Sequence, residues 1–171
     1  MILCTDVDYK DDGSAVAAGV TLKHWSDDQA CDELVVLVEN IEPYVPGQFY
    51  KRELPCIQAI MKGLTGVSLV IVDGYTWLEP KRPGLGAHLW GDLGGSVPVV
   101  GVAKAYFKDT QAIEVTRGKS KRPLYVTSQG IGPAEAARLV ESMAGRNRFP
   151  DMLLRVDHLC RGHVAPKARA S

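Results

Sequence analysis

Apolar positions along the chain fall into short blocks whose period changes from one to the next. "ILCTDVDY" (2–9) is rich in branched and aromatic residues, has no helical period, and predicts a strand. "KDDG" predicts a turn, and "SAVAAGVTLKHW" a second strand that forms a hairpin with the first. "ELVVLVE" predicts a third strand, followed by "PYVPG" (43–47), a loop punctuated by Pro and Gly. From 49 to 62 the period becomes helical, with Phe49, Leu54, Ile57, Ile60, Met61 and Leu64 on one stripe. Pro55 is acceptable there only near the start of the regular helix. "VSLVIVD" is flat in polarity, as a buried parallel strand is, and "VPVVGVA" is the next buried strand. Between them a loop running to Pro83 leads into a helix over 84–93. "QAIEVT" and "PLYVT" flank the basic turn "RGKSKR" as a hairpin. Pro133 opens a helix that runs to Met143, and a last helix covers 151–162. The order is three antiparallel strands, helix, parallel strand, helix, parallel strand, then helices. That is an α/β architecture with a mixed sheet flanked by helices. Residues 1–162 read as one domain, and 163–171 as a basic, disordered tail.

Composition narrows the class. The 171 residues are 46 % apolar and 23 % charged, the balance of a globular domain rather than of a disordered chain or a fibre. The longest uncharged apolar runs, "SLVIV" and "VPVVGVA", fall far short of the roughly 20 residues that span a bilayer. Asp6 and Asp8 interrupt the first apolar stretch at once, which argues against a signal peptide. Cys4, Cys31, Cys56 and Cys160 lie at no metal-ligand spacing, so they read as reduced, mostly buried thiols of a cytoplasmic protein.

Charge changes the picture through its distribution. Twenty acids balance twenty bases, yet residues 1–40 carry a net −7 and the remainder a net +7. Lys81, Arg82, Lys104, Lys108, Arg117, Lys119, Lys121 and Arg122 make one basic segment, and Arg146, Arg148, Arg155, Arg161, Lys167 and Arg169 another. An acidic end with a basic remainder suits a polyanion partner, with the acids free to hold metal; a mixed solvated surface is the plainer reading.

Three carboxylates carry the candidate chemistry. Asp6 sits inside the first strand and, by alternation, shares a face with Asp8, Ile2 and Cys4. A carboxylate there is costly unless it is paired or binds a cation. Asp73 ends a buried parallel strand, where α/β sheets place their ligands. If those strands are neighbours the two acids converge. Glu53 lies in the first turns of the helix after the Pro/Gly loop, and the three together would suit Mg²⁺ or Mn²⁺. Taken one by one, Asp73-Gly74 is a common turn and Glu53 an ordinary helix residue.

In combination these segments resemble the endonuclease V family, whose fold is RNase H-like. The first acidic strand is similar to "TDVDY", and the loop and helix entry to "PYVPGQFYKRE" (43–53). The central motif is similar to "VIVDGYTWLEPKRPGLGAHL" (70–89), followed by "GVAK" (101–104) and a late helix with "RVDHL". The resemblance implies a metal-dependent endonuclease that cleaves 3′ to hypoxanthine, deoxyinosine in DNA or inosine in RNA. It implies Asp6, Glu53 and Asp73 as ligands of Mg²⁺, or of Mn²⁺, with His158 and Lys104 completing the catalytic set. It implies a strand-separating wedge at Tyr44, Val45, Pro46 and Gly47, and a base pocket of Gly47, Phe49, Gly74 and Leu85. Lys81 and Arg82, the basic pair after a Pro, would contact phosphate.

The sequence departs from the family pattern at several points. Glu79 stands where the family usually has His, and can either join the metal site or repel phosphate. Tyr75, Thr76 and Trp77 are bulky where the family is small, and would reshape the base pocket. Gln129, Gly130 and Ile131 replace a basic turn, and the sequence opens directly on the first strand, before which the family usually has a helical segment. A non-cleaving nucleic-acid-binding relative and an RNase H-like nuclease with another structural target are the alternatives.

Overall fold

The computed structural model describes residues 1–162, so the expected tail at 163–171 lies outside the described residues. β1 (Ile2–Tyr9), β2 (Ala15–Leu22) and β3 (Glu33–Val38) form the antiparallel meander that the polarity pattern predicts. Helix α1 (Tyr50–Met61) then carries the chain to β4 (Leu69–Asp73), which pairs parallel with β1. The segment between β4 and the next helix, expected to be a loop, contains a short hairpin of β5 (Trp77–Glu79) and β6 (Arg82–Pro83). Three residues are too few for a period to be legible, and Trp77 is held from outside, its indole N–H donating to Gln129 Oε1 at 2.8 Å.

Helix α2 (Leu85–Asp92) leads to β7 (Val99–Ala103), parallel to β4. β8 (Ile113–Val115) and β9 (Leu124–Gln129) make the expected hairpin, with β9 antiparallel to β7. The main sheet runs β3-β2-β1-β4-β7-β9-β8. Helices α3 (Pro133–Ser142) and α4 (Asp151–Cys160) close the described chain.

Strand alternation divides the core in two. Ile2, Cys4, Leu69, Ile71, Val100 and Val102 face α3 and α4, while Leu3, Val70, Val72 and Val99 face α1 and α2. Removing one such side chain, Ile71→Ala for example, would cost about 2–5 kcal/mol. Pro55 lies within α1, one turn and a half from its start. Its missing N–H leaves the Lys51 carbonyl on an exposed stretch, where water can take the place of the lost bond.

The cysteines carry no disulfide: Cys4, Cys56 and Cys160 are buried thiols and Cys31 is exposed. Among the described residues no helix is long and apolar enough to cross a membrane.

Candidate active site

Parallel pairing of β1 with β4 puts Thr5 opposite Val72, so Asp6 and Asp73 are the next residues on adjacent strands. Both follow the parity of Cys4 and Ile71 and lie on the α4 face. The convergence expected from the sequence therefore holds. Burial, and then the charge of Asp73, push the Asp6 carboxyl up to about 7. Its Oδ1 accepts the Val7 N–H at 2.9 Å.

Glu53 approaches from α1, with only 7 % of its surface exposed. Burial pushes its carboxyl up to about 8, and the charges of Asp6 and Asp73 add to the rise. A hydrogen bond from Tyr9 Oη to Glu53 Oε1, 2.7 Å, works the other way. The Tyr9 ring is itself clamped: the Arg52 guanidinium lies 3.7 Å from its centroid, and Phe49 meets it edge-on at 6.4 Å.

Two cations serve this cluster. Lys104, just past β7, donates from Nζ to Asp73 Oδ2 at 2.9 Å and stands 3.9 Å from Asp157 Oδ1. Arg161 donates to Asp157 at 3.1 Å and lies 3.7 Å from Asp8. Against burial, which lowers it, the Asp73 contact holds the Lys104 ammonium above its usual range. Against burial, which raises it, Arg161 holds the Asp157 carboxyl low.

Asp157 is the member that sequence reasoning missed. Its charge opposes the ionisation of Asp6, and it shares the Lys104 ammonium with Asp73. His158, the expected member from α4, is exposed one step round the helix. Successive helix residues point about 100° apart, so one position decides which side chain meets the sheet. The buried stripe Met152, Val156, Leu159 and Cys160 was a readable signal, because Asp157 lies on the flank of that stripe next to Cys160.

Among the described residues no three His, Cys, Asp or Glu side chains are arranged as they stand to hold a metal ion. The donor chemistry nevertheless fits a hard divalent cation. Asp6 and Asp73 raise the cost of ionising Glu53, Asp73 raises that of Asp6, and the Lys104 ammonium stands beside Asp73 as a positive charge.

Beside the acids lies a cavity of about 260 Å³ whose lining includes Gly47, Phe49, Gly74 and Leu85, all four residues expected to form a base pocket. Gly74 has φ of 130°, a conformation open to glycine, and turns the chain from Asp73 into the cavity wall. Gly101 makes room for this turn, since a Cβ there would stand 2.5 Å from the Gly74 carbonyl oxygen. Of the three bulky residues after Gly74, Tyr75 alone lines this cavity, its hydroxyl donating to the Ala105 carbonyl at 2.7 Å. Thr76 is buried, and Trp77 lines a separate hollow of about 420 Å³ together with Glu79 and Gln129. Glu79 pairs with Arg82 at 3.3 Å and takes no part in the acid cluster.

The expected wedge projects: Tyr44 is 59 % exposed, and Val45, Pro46 and Gly47 are exposed beside it. Lys81 and Arg82 are exposed as well. Other bases counted toward a polyanion surface are spent inside the fold. Arg117, only 6 % exposed, donates to the carbonyls of Glu141, Met143, Ala144 and Gly145. Arg148 donates to the Pro123 carbonyl at 2.7 Å, and Arg155 clasps Glu33 with two bonds of 2.8 and 2.7 Å. The positive surface is smaller than the sequence count.

Comparison with known proteins adds the lineage. The family model for endonuclease V matches residues 1–138. Endonuclease V of Streptomyces coelicolor is 34 % identical over 134 residues, which are 78 % of this chain and 57 % of that protein. The chain thus matches little more than half the length of that relative. The crystal structure of Streptomyces avermitilis endonuclease V superposes with a TM-score of 0.77 at 26 % identity, covering 95 % of this chain and 80 % of that one. Ciona intestinalis endonuclease V (D234N), solved with a 23mer DNA containing an inosine followed by a ribo-adenosine, superposes with a TM-score of 0.78 at 17 % identity over 95 % of this chain and 84 % of that one.

Proposed function

Because the chain belongs to the endonuclease V family, we propose that it is a divalent-metal-dependent endonuclease that cleaves a phosphodiester bond 3′ to hypoxanthine in DNA or RNA. One observation carries the reading: Asp73 belongs to the acid cluster, and the next residue, Gly74, lines the cavity that would take the base. Recognition and chemistry are joined by a single peptide.

Asp6, Glu53 and Asp73 would hold Mg²⁺ or Mn²⁺, with Asp157 beside them. Such an ion lowers the pKa of a bound water and stabilises charge on the leaving oxygen. The chain's own groups do the rest. Lys104, 44 % exposed at its side chain, would turn from Asp73 toward a phosphate. Tyr44, Val45 and Pro46 are placed to unstack a duplex beside the base, a step that costs a few kcal/mol. The cavity walls would then hold the extruded base by apolar contact with Phe49 and Leu85 and through the backbone at Gly47 and Gly74. Lys81 and Arg82 would neutralise flanking phosphates. His158, exposed at the next position of α4, would act on water or nucleic acid at the edge of the cluster.

The test is cleavage of matched DNA and RNA oligonucleotides carrying one hypoxanthine or none, with Mg²⁺ or Mn²⁺, beside an Asp6→Ala control. A single cut 3′ to hypoxanthine that the control lacks is expected. Cutting without regard to hypoxanthine would remove the base pocket from the reading. No cutting by a folded, metal-binding protein would favour a binding-only relative.

A further inference from the structure

Tyr9 links the three parts of the proposed site, touching two directly and the third through Arg52. Its hydroxyl donates to Glu53 Oε1 at 2.7 Å. Its ring meets Phe49, a wall of the base cavity, at 6.4 Å. Its other neighbour, Arg52, stacks 3.7 Å from the Tyr9 centroid and also faces the ring of wedge residue Tyr44 at 6.0 Å. The Arg52 Nε is buried without a hydrogen-bond partner, so the tyrosine faces are the visible partners of that part of the guanidinium. β1 and the first turns of α1 are thereby tied together over a separation of 44 residues.

Resting on the function just proposed, we infer that Tyr9 is a positioning residue: its hydroxyl fixes the Glu53 carboxylate for the metal, while its ring, held by Arg52 and Phe49, anchors that carboxylate to the wedge and the base cavity. Glu53 hangs from a helix across the end of the sheet, and a glutamate side chain there has three rotatable bonds to settle. A hydroxyl donated to one oxygen selects an orientation and leaves Oε2 as the freer oxygen for a cation. The reach of Tyr9 from β1 makes this orientation a property of the folded sheet rather than of α1 alone.

The test is calorimetric titration of Mn²⁺ into the nucleic-acid-free protein, using wild type, Tyr9→Phe, Glu53→Gln and the double variant. Tyr9→Phe keeps the ring and removes only the hydroxyl. A hydrogen bond to a charged group contributes enough for about a tenfold weaker Mn²⁺ affinity in Tyr9→Phe. In the Glu53→Gln background the same change should have no further effect, because the hydroxyl acts through Glu53. Melting in EDTA reports folding of each variant. Wild-type Mn²⁺ affinity in Tyr9→Phe would overturn the inference, as would an equal loss in both backgrounds. Absence of Mn²⁺ binding by the wild type would instead overturn the functional reading on which it rests.

Discussion

Replacing Asp6 by Asn should stabilise the metal-free protein at alkaline pH and weaken its response to metal. Burial and the charge of Asp73 raise the Asp6 carboxyl from 3.8 to about 7. The unfolded chain releases this proton near pH 4, so through the window from about pH 4 to 7 the native state binds it more tightly than the unfolded state. A native state that must ionise Asp6 loses stability as pH rises through that window and loses no more above it. At about 1.36 kcal/mol per pH unit the full linkage is about 4 kcal/mol. Solvent reaching the partly buried carboxylate reduces this to about 2–3 kcal/mol. Asn keeps the oxygen that accepts the Val7 N–H and never ionises. In EDTA at pH 8 the variant should melt about 5–10 °C above the wild type, at roughly 2–4 °C per kcal/mol for a chain of this size. At pH 5 the gap should shrink to about 1 kcal/mol, because the wild-type carboxyl is still protonated in the fold. At pH 8, saturating Mn²⁺ should close most of the gap. At a hundred times Kd the wild type gains about 2.7 kcal/mol by mass action, and the variant, short of one ligand, gains much less. Thermal melts followed by near-ultraviolet circular dichroism at both pH values, with EDTA or Mn²⁺, read all four cells. An Asn variant that melts below the wild type at pH 8 in EDTA would refute the reasoning, because Lys104 would then over-compensate the cluster.

Three further outcomes follow from the same structure. Arg155→Leu leaves Glu33, 1 % exposed at its side chain, without its bidentate clasp, and should cost about 3–5 kcal/mol in urea unfolding. Gly101→Ala drives a Cβ into the backbone at Gly74 and Thr76, so it should displace the base-cavity wall and abolish hypoxanthine-dependent cutting while Mn²⁺ binding, measured by calorimetry, falls less. Tyr44→Ala removes a side chain that is 59 % exposed, so stability should move by less than about 0.5 kcal/mol, while kcat/KM falls at least tenfold on duplex substrate and little on single strands.

Much of the architecture was legible because it rests on local periods. The switch from strand blocks to the helical stripe at 49–62, and the flat apolar run before Asp73, mark elements that each bury one face or two. The β5–β6 hairpin was not legible, because its geometry is held by Gln129, 52 residues away in sequence from Trp77. The residues proposed to hold the base came from family motifs. Nothing local distinguishes Gly47, Phe49, Gly74 and Leu85, yet the fold gathers them around one hollow.

The sequence by itself determined the order of elements, the face on which Asp6 lies, and the family to which the motifs belong. Strand parity and helical period are properties of the backbone, so they survive without knowledge of partners. Tertiary structure alone decided that Asp157 shares the Lys104 ammonium with Asp73, since a helix's rotation about its axis is set by the packing of its buried stripe. It alone decided that Lys104 neutralises Asp73, that Arg117 is consumed by carbonyls, and that Tyr9 holds Glu53. Charge interactions of this kind depend on distance and burial, and both are created only when segments far apart in the chain are packed together.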